Sequence, residues 1–185
     1  MDRSSSAPLL TYHDYVHFPD DERVEILEGV AYLVPAPTWR HQGVVGRLYW
    51  HIVNFVEVHP ECGRVAIAPF DVVLSDHDVV QPDIVFLGDL SILSQKNARG
   101  SPTWVIEVVS DPRRDRVLKL AAYAKAGVSE YWIVDPVGDT IDVFLIDSAG
   151  GGYGAPTRSR PGDAIGPRLP DGLTIDVADV LRRDR

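Results

Sequence analysis

A glutamate stands inside the most strand-like run of this chain. Residues 103–109 read TWVIEVV, a run so rich in β-branched and aromatic residues that it belongs in a sheet buried on at least one face. A carboxylate left uncompensated in such a place costs several kcal/mol or takes up a proton. Glu107 therefore needs a partner, and a metal ion, a lysine or a hydrogen-bond network are the candidates. Asp83 poses the same question at the mouth of a second apolar run, QPDIVF, residues 81–86. Pro82 is tolerable there because a proline at the first residue of a strand does little harm to the ladder. If the two runs pair antiparallel, the start of one lies beside the end of the other, and Asp83 falls near Glu107. Hard divalent cations such as Mg²⁺ take oxygen ligands, commonly one or two carboxylates plus a substrate phosphate, so the pair is a sensible half-site.

Side chains alternate along a strand, so residues 105, 107 and 109 share a face. A lysine at 109 would complete a carboxylate-x-lysine arrangement, but that residue is Val109. The nearest substitute is Lys119 on the helix expected to follow, with Arg116 one turn before it and Tyr123 one turn after it. Its aliphatic stem can lie along the helix while the ammonium reaches the carboxylates, there to orient an attacking water or stabilise charge on a phosphate.

The rest of the chain reads as alternating elements. Thr11 caps a short helix through about residue 18, ended by Pro19 and an acidic stretch. Strands at 23–27 and 30–34 flank Glu28-Gly29, a tight hairpin turn. Thr38 caps a long amphipathic helix over 39–58, with Val44, Val45, Leu48, Ile52, Phe55 and Val56 at helical spacing. Strands follow at 65–68, 71–74 and 84–87, with residues 75–78 as the turn between the last two, and a loop covers 88–101. After the run at 103–109, Asp115 begins a helix ending at Gly127, the residue type expected just past a helix C-terminus. Strands at 131–134 and 140–146, joined by a turn at 135–139, lead to an irregular stretch over 148–172, a last strand at 173–175 and a terminal helical turn.

One domain of 185 residues accommodates all of this, and no window approaches the roughly 18 apolar residues of a membrane span. The N-terminal MDRSSSAPLL lacks an apolar signal region, so a cytoplasmic location is expected. Cys62 is the single cysteine and can form neither an internal disulfide nor a zinc signature. A formal charge of −9 argues against tight coating of nucleic acid, whose affinity for proteins comes largely from basic groups displacing counterions. It leaves room for a local basic track, and Arg113, Arg114, Arg116, Lys119 and Lys125 supply one.

Three segments together, VEILEGVAYLVPAPTWRHQGVVGRL, VVQPDIVF and PTWVIEVVSDPRRDRVLKLAAYAKAGVSEYWIVDP, resemble a largely bacterial family of restriction endonucleases within the PD-(D/E)XK nuclease superfamily. The resemblance covers most of the chain. It implies an α/β, restriction-endonuclease-like fold: a mixed β-sheet core flanked by helices, with an N-terminal β-hairpin. It also implies Asp83 and Glu107 as metal ligands, Lys119 as the displaced lysine of the superfamily motif, and Glu25, Gln81 and His41 as auxiliary positions. The expectation is an Mg²⁺-dependent endonuclease, with Mn²⁺ as substitute, hydrolysing phosphodiester bonds in nucleic acid, DNA first. Asp83, Glu107 and the backbone carbonyl of Val108 would hold the ion, Lys119 would assist, and Arg113, Arg114 and Arg116 would face the nucleic acid. A homodimer is compatible with cutting two strands. The rival expectation, favoured by Val109 and the acidic charge, is a catalytically inactive nuclease-fold module that binds nucleic acid or a protein partner.

Overall fold

The computed structural model describes residues 8–19, 21–147 and 151–183. The amino-terminal residues 1–7, Asp20 of the acidic stretch and the first part of the irregular segment, 148–150, lie outside the described residues.

Helix α2 (Trp39–Val58) runs over the expected span, and the Thr38 side chain accepts the amide of His41 at its start. Its apolar stripe, Val44, Val45, Leu48, Ile52 and Val56, is buried against one face of a six-stranded mixed sheet. That sheet has the order β11-β10-β9-β8-β6-β3 and comprises β3 (Arg64–Ile67), β6 (Ile84–Leu87), β8 (Trp104–Val108), β9 (Glu130–Asp135), β10 (Thr140–Leu145) and β11 (Thr157–Ser159). Strands β8 and β9 run parallel, while β6 lies antiparallel to β8. Alternation decides what each residue of β8 meets. Trp104, Ile106 and Val108 turn toward α2, where Trp104 packs edge to face on Trp132 with ring centroids 4.6 Å apart. Val105 belongs to the opposite layer, with Tyr123, Tyr131 and Ile133, and by the period of two Glu107 points there as well.

Helix α3 (Lys119–Ala126) covers that second face and ends at Gly127, whose φ of +79° is the left-handed cap expected of glycine. Beside it stands a five-stranded sheet of order β2-β1-β5-β4-β7. It carries the predicted hairpin of β1 (Val24–Leu27) and β2 (Val30–Leu33), with Glu28 and Gly29 at φ +52° and +75°, the pair of positive values that a two-residue I′ turn requires.

The structure departs from the sequence expectations in several places. Residues 75–78 do not connect β4 (Asp71–Ser75) directly to β6; they turn into an additional strand, β5 (Asp78–Val80), which pairs with both β4 and β1. The expected loop at 88–101 contains β7 (Asn97–Arg99), parallel to β4. Each has only three residues, too few to show a period; β7 adds to the sheet edge beside β4, and β5 fills the place between β1 and β4. The irregular stretch over 148–172 likewise contains β11 and β12 (Ala164–Ile165), and the last strand is the short β13 (Ile175–Asp176), before α4 (Val177–Leu181). The first helix, α1 (Tyr12–Tyr15), is capped by Thr11 as expected but stops short of residue 18.

Asp115 does not start the helix after β8. Asp111 does that work, its Oδ1 accepting the amides of Arg113 and Arg114 at 3.0 and 3.1 Å. Residues Arg114–Leu118 then form a wide π turn leading into α3, and the buried Asp115 carboxylate folds back onto the amides of Ser110 and Asp111.

Candidate metal and active site

The register of β6 on β8 pairs Ile84 with Ile106, so Asp83 and Glu107 occupy the next rung at one end of the sheet. Their partners hold them from different directions. Asp83 Oδ2 accepts the Val108 amide at 2.8 Å and lies 3.2 Å from His41 Nε2, which descends from the first turn of α2. Glu107 Oε1 accepts two hydrogen bonds of 2.8 Å, from Lys119 Nζ and from the Tyr123 hydroxyl. Lys119 is thus buried, 3% exposed, and not the solvent-facing lysine that a helix surface normally presents.

Glu25 completes the cluster from β1. Its Oε1 lies 2.8 Å from Lys119 Nζ and accepts the Gln81 amide at 2.9 Å. One ammonium therefore bridges carboxylates from two different sheets. Arg114 stands behind them, with Nε 3.8 Å from Glu25 Oε2 and Nη1 donating to the Leu33 carbonyl at 3.2 Å.

Each carboxylate of the central pair keeps one oxygen without a hydrogen bond to the described residues, Oδ1 of Asp83 and Oε2 of Glu107. Both residues line a cleft of about 330 Å³, together with His41, Arg114 and Lys119. Burial pushes the Glu107 carboxyl up to about 8 against the pull of Lys119, and the charges of Asp83 and Glu25 push the same way as burial. Burial works to lower Lys119, but Glu107 and Glu25 outweigh it and hold the ammonium above its ordinary value. For His41 burial is likewise offset, by Asp83 and the Val108 backbone, and the imidazole titrates above its usual value.

This donor set fits a hard divalent cation. Two carboxylates crowd one sheet end, each with an uncommitted oxygen in a recess, and a bound cation would relieve their mutual repulsion. Among the described residues no cluster of three or more His, Cys, Asp or Glu donors forms. Two carboxylates are the number of protein ligands with which a Mg²⁺ site commonly starts, water and phosphate oxygens supplying the rest.

Of the auxiliary positions, Glu25 and His41 converge on the pair, as described. The Gln81 side chain faces away toward Asp71 and Tyr15, at 2.9 and 3.2 Å, and only its backbone enters the cluster. The three arginines read as one nucleic-acid-facing run take separate paths. Arg113 is exposed. Arg114 is buried, 5% exposed, and lines the cleft from within. Arg116 is held by Asp142 and Asp135 at 2.9 and 3.1 Å. Tyr123 was visible in sequence as a neighbour of Lys119 on the helix, but its bond to Glu107 was not; the i+4 spacing was the only signal.

The sequence profile of a family described as "Uma2: Putative restriction endonuclease" matches residues 10–178. No curated protein matches the chain. Among solved structures, that of a putative nuclease belonging to DUF820 from Anabaena variabilis ATCC 29413 superposes with a TM-score of 0.77 at 18% identity, covering 93% of this chain and 97% of that one. At that identity the likeness is one of fold. No helix among the described residues is long and apolar enough to cross a membrane.

Proposed function

The chain belongs to the Uma2 family of putative restriction endonucleases, and from that premise we propose that it is a divalent-metal-dependent endonuclease hydrolysing phosphodiester bonds in nucleic acid, DNA in the first instance. The observation that carries this reading is the convergence of Asp83, Glu107 and Lys119 on one cleft. Val109 stands where the strand lysine would be, but Lys119 brings an ammonium to Glu107 from the next helix, which weighs for catalysis over a binding-only module.

Asp83 and Glu107 would hold Mg²⁺ or Mn²⁺ with the Val108 carbonyl. When bound, such an ion polarises a phosphoryl oxygen and makes a coordinated water nucleophilic near neutral pH. The protein's own groups prepare that event. Val108 and His41 fix the Asp83 carboxylate through Oδ2, and Lys119 and Tyr123 fix Glu107 through Oε1, so both carboxylates are held without further ordering. An ammonium has three donors; two of those on Lys119 meet Glu25 and Glu107, leaving one for an attacking water or a phosphate oxygen. Arg114 is placed to meet developing charge on the phosphate.

The test is incubation of purified protein with single-stranded DNA, double-stranded DNA and RNA in Mg²⁺, Mn²⁺ or EDTA. Cleavage that needs the metal and disappears in an Asp83→Ala, Glu107→Ala double variant is expected. Absence of metal-dependent cleavage on every polymer, or equal cleavage by the double variant, would remove the proposal.

A further inference from the structure

Three observations at the mouth and floor of the cleft bear on which form of nucleic acid can enter it. The carboxylates are unequally recessed: Glu107 is 3% exposed and the Asp83 side chain 15%, both lining a space of about 330 Å³. A duplex is a stiff rod, with a persistence length of about 150 base pairs, whose phosphates lie on its outer surface. Smooth bending does not drive one of them into a narrow recess, whereas a single strand can thread a phosphate inward.

The cleft floor also holds polar atoms without a hydrogen bond. Arg114 Nε and His41 Nδ1 are buried without a hydrogen-bond partner among the described residues, Arg114 Nε standing 3.8 Å from the equally unpartnered Glu25 Oε2, and both side chains line the cleft. Leaving such atoms unsatisfied is costly; a phosphate oxygen would satisfy the arginine, and a water or sugar hydroxyl the histidine. Around them the cations are partly committed. Arg40 is engaged by Pro136 and Asp139 and Arg116 and Arg158 by Asp142, whereas Arg23 lines the cleft with one 3.4 Å bond to Gln81 and Arg113 is exposed; the chain as a whole carries a formal charge of −9.

On so acidic a chain counterion release gives limited hold on a duplex, and Trp39 offers a second source of affinity. This residue opens α2 between Thr38 and His41, both cleft-lining, and is 81% exposed. Aromatic platforms beside a strand-tracking groove are how proteins hold unpaired bases, whose faces a duplex keeps stacked and out of reach.

We propose that the cleft admits one unpaired nucleic-acid strand in preference to an intact duplex, with Trp39 as the platform on which a base stacks while Arg114 meets the adjoining phosphate. This rests on the nuclease reading of the same site.

Fluorescence anisotropy with a short end-labelled single strand, and with the same strand annealed to its complement, tests it in EDTA so that nothing is cleaved. The single strand is expected to bind more tightly than the duplex. Trp39→Ala, at an exposed position that leaves the core intact, is expected to weaken single-strand binding by about 5- to 100-fold, and Trp39→Phe to retain most of it. Duplex binding equal to or tighter than single-strand binding, or single-strand affinity unchanged in Trp39→Ala, overturns the proposal. A parallel incubation with Mn²⁺ separates the two readings. Metal-dependent cleavage without single-strand preference overturns this inference and leaves the nuclease standing; Trp39-dependent single-strand binding with no cleavage of any polymer supports the strand preference and removes the nuclease.

Discussion

The Lys119 ammonium lies 2.8 Å from Glu107 Oε1 and 2.8 Å from Glu25 Oε1, joining α3 to strands of two different sheets. A buried cation between two buried carboxylates is a structural clamp, and under the proposed function the same ammonium would stand in for the lysine that β8 lacks.

Removing that cation should be felt in the fold itself. Lys119→Met leaves Glu25 and Glu107 buried without their shared partner, and breaking a buried pair from one side costs about 3–5 kcal/mol. Urea denaturation of the variant should show a loss of that order. A loss below about 1 kcal/mol, the size of an exposed pair, would mean that the ammonium is not held between the carboxylates.

Cation binding should be visible without any substrate. A ligand that binds only the native state at about 100 times its dissociation constant adds about 2.7 kcal/mol of stability. Mg²⁺ or Mn²⁺ should accordingly raise the melting temperature of the protein, EDTA should reverse the rise, and Asp83→Asn combined with Glu107→Gln should abolish it. An equal rise in the double variant would place the ion elsewhere.

His41 touches Asp83 Oδ2 and leaves Oδ1 free, so in the proposed metal site it would act by holding Asp83 in place. Outer-shell partners of this kind are worth about 10–100-fold in metal affinity or activity. His41→Ala should lower divalent-ion affinity by about that factor in calorimetric titration while the protein remains folded; unchanged affinity would separate His41 from the site.

Asp142 governs part of the acid limb of stability. Burial works against its carboxylate, but hydrogen bonds from Arg158 and Arg116 more than offset this, so it titrates below the ordinary carboxylate range. A depressed folded-state value means that the unfolded chain binds the proton more readily. The stabilisation is complete above the unfolded value of about 3.9 and is lost as pH falls through the lower folded value. Asp142→Asn should destabilise the protein at neutral pH and flatten the fall in stability below about pH 4. Parallel pH curves for the two proteins would refute the assignment.

Much of the scaffold was legible because its signals are local. The period of apolar residues fixed α2 to its observed ends, Glu28-Gly29 marked the I′ turn, and Gly127 marked the end of α3. The density of β-branched residues around Glu107 identified β8. Antiparallel pairing, once assumed, required Asp83 to fall beside Glu107, because strand register is a count of residues. The additional strands β5 and β7 were not legible, since three-residue segments carry almost no period and form only where strands distant in sequence pair with them.

By itself the sequence determined the two carboxylates, their shared end of a sheet and the helix from which a lysine could come, since these follow from side-chain alternation and helical spacing over short distances. Tertiary structure alone decided that Lys119 is buried rather than solvated, that Glu25 shares it, that Arg114 turns inward and that Arg116 is bound to Asp142. The reason is physical: a charge on a helix surface is compatible with water or with a buried counter-charge, and which one it meets depends on elements far apart in the chain packing against the same face.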